Sequence, residues 1–125
     1  MAGNLKFGQR IRELREAKKR TDPAFSLRRF AQAMEFSPTF VSKMETGEFD
    51  PPSAENIKKM AALLGADPYE LLQLAQKADP ALVEMVKEQP KEMADFLRTA
   101  HERGVTAEQL AEWTKDLQSR KRRKP

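Results

Sequence analysis

Residues 26–47, SLRRFAQAMEFSPTFVSKMETG, decide how this chain is read. Ser26 offers a capping oxygen to a helix over about Leu27–Met34, in which Phe30, Ala31 and Met34 form the apolar side. A four-residue turn, Met34–Ser37, leads to a second short helix over about Pro38–Thr46. Ser37-Pro38 places a cap before a proline at the first helical position, where the missing N–H costs nothing. Ala31 is small enough for two helices to cross closely. Val41 and Met44 stand at i and i+3 and face inward, leaving Pro38, Thr39, Ser42 and Lys43 on the polar side. A short helix with a basic, hydroxyl-rich side suits entry into the major groove of DNA.

The flanking sequence extends the same helical pattern. A helix over about Leu5–Lys19 carries Phe7, Ile11 and Leu14 on one face. Another, about Ala54–Leu64, follows a Ser53 cap, buries Ile57, Met60, Ala61 and Leu64, and stops at Gly65 in a left-handed conformation. Asp67-Pro68 starts a fifth helix to about Gln76, burying Leu71 and Leu72. Asp79-Pro80 starts a sixth over 80–88, Pro90 forces a break, and 91–103 continues as a seventh. The last, about Ala107–Gln118, begins with a Thr106/Gln109 capping box and a Val105/Leu110 staple, and aligns Leu110, Trp113 and Leu117. Strand signals are nearly absent, so the predicted class is all-α.

Composition narrows the function. The chain has 125 residues, about one domain's worth, and no cysteine, which rules out a disulfide framework, a thiolate metal site and a cysteine nucleophile. Its single histidine, His101, rules out a histidine-rich zinc site. The five glycines are too scattered for a phosphate-cradling loop. The longest apolar run, Met60–Ala66, falls far short of the ~20 residues a membrane span needs, and Met1–Arg10 has no signal-like apolar core. The expectation is a cytoplasmic protein with no membrane segment and no cofactor. Net charge is +4, but residues 1–47 carry ten Lys/Arg against five Asp/Glu, residues 48–119 eight against fourteen, and residues 120–125 five against none. A basic front, an acidic middle and a basic tail suggest that one face meets a polyanion.

With the segment 26–47 and its flanks in view, the chain resembles the lambda-repressor/Cro-like (Xre) family of DNA-binding domains over roughly Phe7–Gln76. The likeness is carried by Ile11-Arg12-Glu13-Leu14-Arg15, Phe30-Ala31, Ser37 through Gly47 ending in Met44-Glu45-Thr46-Gly47, Pro51–Ser53, and Leu63-Leu64-Gly65 through Leu71-Leu72. The resemblance implies a five-helix domain with a structural ion pair between Arg15 and Glu45. It also implies DNA contacts from Arg28 and Arg29 at the start of the second helix, and from Ser37, Pro38, Thr39, Phe40, Ser42 and Lys43 in and before the third. Phe40 has two readings, contact with a thymine methyl or packing at the domain edge. Three departures stand out. Leu27 replaces a common glutamine. Glu35 replaces a common turn glycine, at a cost of roughly 1 kcal/mol if φ is positive there. The connection Arg20–Phe25 is long and contains Asp22-Pro23, preceded by Lys18, Lys19 and Arg20, which either clamp a phosphate backbone or complement a helix dipole.

The expected organisation is a DNA-binding domain over 1–77, a C-terminal helical dimerisation or regulatory segment over 78–118, and a disordered basic tail over 119–125, which either adds phosphate contacts or is a solvated solubilising end. Leu82, Val83, Val86, Met93, Phe96 and Leu97 offer more apolar surface than a lone helical pair should expose. Either the first five helices or a second copy of the chain must cover it. A two-fold dimer suits a protein reading two half-sites of double-stranded DNA. The predicted function is therefore a non-enzymatic, homodimeric, sequence-specific transcriptional regulator, a repressor binding a palindromic operator. Two protein partners are compatible with the layout. One is a regulatory protease cutting near residues 94–100; the other is a toxin, if the chain is an antitoxin that neutralises it through the C-terminal helices.

Overall fold

The computed structural model describes residues 3–120. Among the described residues there are eight α-helices: α1 (Leu5–Lys19), α2 (Leu27–Met34), α3 (Pro38–Glu45), α4 (Ala54–Leu64), α5 (Pro68–Leu74), α6 (Pro80–Glu88), α7 (Pro90–Glu102) and α8 (Ala107–Ser119). A 3₁₀ turn, Pro23–Phe25, lies in the long connection between α1 and α2. No strand occurs among the described residues, and no helix there is long and apolar enough to cross a membrane. The basic tail beyond Arg120 lies outside the described residues.

Capping chemistry sets most of these boundaries. Oxygens of Asn4, Ser26, Ser37, Ser53, Asp67 and Thr106 each accept a backbone N–H of the helix that follows. Pro38 and Pro68 occupy first-turn positions that require no donor. Gly65 ends α4 at φ 67°. Glu35 ends α2 in the same left-handed region, at φ 60° and ψ 34°, so its side chain does carry the strain that glycine would avoid. Thr106 and Gln109 complete a reciprocal capping box on α8.

The chain divides into two compact units, Met1–Val83 and Glu84–Pro125, and the division falls within α6. The first holds the core. Phe7, Ile11, Phe30, Met34, Val41, Met44, Ile57, Met60 and Leu71 are almost fully buried there. In it α3 packs against both α1 and α2, and α4 packs against α5. Asn4 Nδ2 donates to the Leu74 carbonyl at 2.8 Å and Arg10 Nε to Glu70 at 2.7 Å, tying α1 to α5. The second unit has no comparable interior: no residue from Pro80 to Arg120 is buried. Phe96 of α7 and Trp113 of α8 approach at 6.2 Å between ring centroids, and both remain close to half exposed. Beside them lies an open, largely apolar groove of about 270 Å³.

Candidate nucleic-acid interface

The candidate interface is the outer side of α3 together with the first turn of α2. Burial divides α3 cleanly. Val41, Met44 and Glu45 face inward; Pro38, Thr39 and Ser42 are exposed; Phe40 and Lys43 are half-buried. Ser37 precedes the helix, exposed, with its Oγ accepting the Phe40 N–H at 3.0 Å. Arg28 and Arg29 are exposed at the start of α2, behind the Ser26 cap. Neither α2 nor α3 carries an acidic residue in its first turn. Two arginines at a helix N-terminus run against the helix dipole, where stability favours carboxylates. An approaching phosphate reverses that penalty, because positive side chains and free N–H groups then face the same anion.

The inner side of α3 is held by a buried charge pair. Arg15 Nε and Nη2 donate to the two oxygens of Glu45 at 2.7 and 2.9 Å, and Nη1 donates to the Phe25 carbonyl at 3.1 Å. Both residues are 4% exposed. One guanidinium thus links α1, the last turn of α3 and the 3₁₀ turn. Glu45 sits at the C-terminal end of α3, where the dipole disfavours a carboxylate, and the bidentate arginine offsets this. A planar fork with two parallel hydrogen bonds resists rotation of α3 better than a point charge would.

Gly8, which the motif reading passed over, completes this support. A Cβ there would collide with the carbonyl oxygens of Met44 and Glu45, so α1 approaches the end of α3 backbone to backbone. The signal was present in the sequence as an isolated glycine inside an otherwise regular helical pattern.

An aromatic row also flanks α3. Phe40 packs edge-on against Phe36, with centroids 4.9 Å apart, and lies 5.9 Å from Phe49 in the loop after α3. Phe40 packs against the core in the isolated chain, which its domain-edge reading describes. Lys43 Nζ lies over the Phe49 ring, 5.4 Å from its centroid. Phe49 stands between Glu48 and Asp50, and no motif in the sequence singles it out. Lys18 is engaged in the same manner over Phe25, at 5.4 Å, beside Gly65 at the end of α4. Lys19 and Arg20 remain exposed.

Asp79, between α5 and α6, is buried and paired. Its Oδ1 accepts the Ala81 N–H at 3.0 Å and the Lys58 ammonium at 3.2 Å. The Ala81 hydrogen bond, then Lys58 and Tyr69, hold its carboxyl below the usual aspartate range, against the opposing effect of burial.

Comparison with known proteins agrees with this geometry. Residues 6–74 match the model of a helix-turn-helix domain. The chain is 35% identical over 102 residues, 79% of its length and 69% of the relative's, to an uncharacterized HTH-type transcriptional regulator, RghRB, of Bacillus subtilis (strain 168). No solved structure matches the chain. On both the family match and this relative, the chain belongs to the helix-turn-helix domain family.

Proposed function

We propose that this chain is a sequence-specific, DNA-binding transcriptional regulator, a homodimeric repressor whose α3 reads a palindromic operator. The observation that carries the reading is the two-sided character of α3. Its inner side is locked by Val41, Met44 and the Arg15–Glu45 pair, while Pro38, Thr39 and Ser42 are exposed on the other side and half-buried Lys43 rests its ammonium over the exposed Phe49 ring. In this reading Thr39, Phe40, Ser42 and Lys43 meet base edges or nearby phosphates, and Arg28, Arg29 and the Ser37 end of α3 meet the backbone. Its work is binding, not catalysis, and its site of action is the cytoplasm. The DNA-binding domain is assigned to 1–77, the dimerisation or regulatory segment to 78–118, and the basic tail to 119–125.

The dimer rests on the C-terminal segment. Leu82, Val83, Phe96, Leu97, Leu110 and Leu117 are each 45–67% exposed in a single chain. Apolar surface on this scale, present on α6 and separately on α7 and α8, calls for cover by a partner. A second copy of the same segment covers it and sets the spacing of two reading helices. The same exposed surface supports a second reading, an antitoxin whose C-terminal helices bind a toxin protein.

The test is selection from a library of random duplexes at two salt concentrations, with the wild type and a Thr39→Ala/Lys43→Ala variant. The expected result is a palindromic site enriched by the wild type and lost by the variant. Equal behaviour of the two proteins, or no enrichment, would refute α3 as the reader. A toxin that co-purifies with the chain and requires residues 78–118 would favour the second reading.

A further inference from the structure

We infer that Phe49, outside the reading helix, is a positioning residue that sets where Lys43 meets DNA. The inference rests on the proposal that α3 faces DNA. Three independent features build the arrangement. The Phe49 and Glu48 N–H groups both donate to the Lys43 carbonyl, at 3.2 and 2.9 Å, so the loop is tied to the backbone of the very residue it serves. Thr46 Oγ1 donates to the same carbonyl at 3.2 Å. Gly47, at φ 83°, makes the sharp turn that brings the chain back, a conformation glycine adopts at little steric cost. The returning loop then places the Phe49 ring beneath the Lys43 ammonium, and Phe40 braces that ring from the helix side.

A free lysine explores many rotamers and loses that freedom on binding. A ring face within ~6 Å attracts the ammonium and narrows the search before DNA arrives. The ring occupies one side of the ammonium only, so N–H donors remain for a phosphate or a guanine edge. Among the described residues no carboxylate is ion-paired with Lys43, although Glu48 and Asp50 flank the ring. Asp50 instead accepts the Gly3 N–H at 2.6 Å. Asp50 is held by another partner, and the ring is what Lys43 rests on.

The test combines Phe49→Leu, which keeps the apolar bulk, with Phe49→Tyr, which keeps the ring, on the full chain. NMR of the free protein reads the ring-current shift of the Lys43 side-chain protons. It is expected in the wild type and Phe49→Tyr and lost in Phe49→Leu. Affinity is then measured for a duplex enriched by the wild type from the random library. A cation–π contact at an exposed site predicts a loss of about two- to fivefold for Phe49→Leu. It also predicts wild-type affinity for Phe49→Tyr, and no further loss when Phe49→Leu is added to Lys43→Ala. Penalties that simply multiply in the double variant, or an unshifted Lys43 in the free wild type, would overturn the positioning role while leaving α3 as the reader. Failure of the wild type to enrich any duplex removes the DNA reading itself and the positioning role with it.

Discussion

Replacing Arg15 by methionine leaves the Glu45 carboxylate buried, with both hydrogen bonds from Nε and Nη2 gone. Both residues are 4% exposed, so water cannot easily replace the lost partner. Breaking such a pair from one side costs about 3–5 kcal/mol, against a total domain stability of about 5–15 kcal/mol. With a urea m-value near ~1.5 kcal/mol/M, the midpoint should fall by about 2–3 M. The methyl signals of Met34 and Met44, both in the core, report this transition directly in a urea titration of labelled protein. The double variant Arg15→Met/Glu45→Leu removes both charges and should recover most of the loss, since well-packed apolar residues often replace a buried pair at no net cost. Its DNA affinity should nevertheless stay below wild type, because an apolar contact lacks the directional fork that orients α3. A single-variant cost under about 1 kcal/mol is what a solvent-exposed pair would show and would refute the desolvation argument. Wild-type DNA affinity in the double variant would refute the orienting role.

Four further outcomes follow from the same structure. Gly8→Ala should destabilise by about 1–3 kcal/mol despite alanine's better helix propensity, because its methyl meets the Met44 and Glu45 carbonyls; a gain in melting temperature would contradict the close approach. Glu35→Gly should stabilise by about 0.5–1 kcal/mol, relief of the left-handed strain outweighing glycine's added unfolded-state entropy, and calorimetry would show the midpoint rising by several degrees. The Asp79 carboxyl titrates lower in the folded chain than unfolded, so its contribution is complete above the unfolded value near ~3.9 and is lost as pH falls through the folded one. Asp79→Asn should therefore be less stable than wild type at pH 7, with the gap closing below about pH 4; a constant gap would sink this account. Arg28→Ala and Arg29→Ala should each weaken binding to all duplexes alike and lower the salt slope by about 0.9, measured by titration across salt concentrations.

The helices were legible because their boundaries are local chemistry. Ser37-Pro38 and Asp67-Pro68 start helices in the chain as they do on paper, and Gly65 stops one. The α3 faces were legible too, since the apolar side follows from spacing alone. The Pro23–Phe25 turn was not anticipated, because Asp22 caps a segment too short to carry a period.

The sequence by itself determined an all-helical chain, the position of its turns and the outward side of α3, because hydrogen-bond caps and helical periodicity act over four residues or fewer. Apart from the Arg15–Glu45 pair, which the family resemblance implied, tertiary structure alone decided which contacts join residues distant along the chain. Gly8 against Met44 and Glu45, Asp50 against Gly3 and Asp79 beneath Lys58 depend on how helices cross, and no local rule encodes a crossing. Lys43 over Phe49 lies nearer in sequence, yet it depends on the loop returning to the Lys43 carbonyl, which a stretch reading Glu-Phe-Asp does not announce.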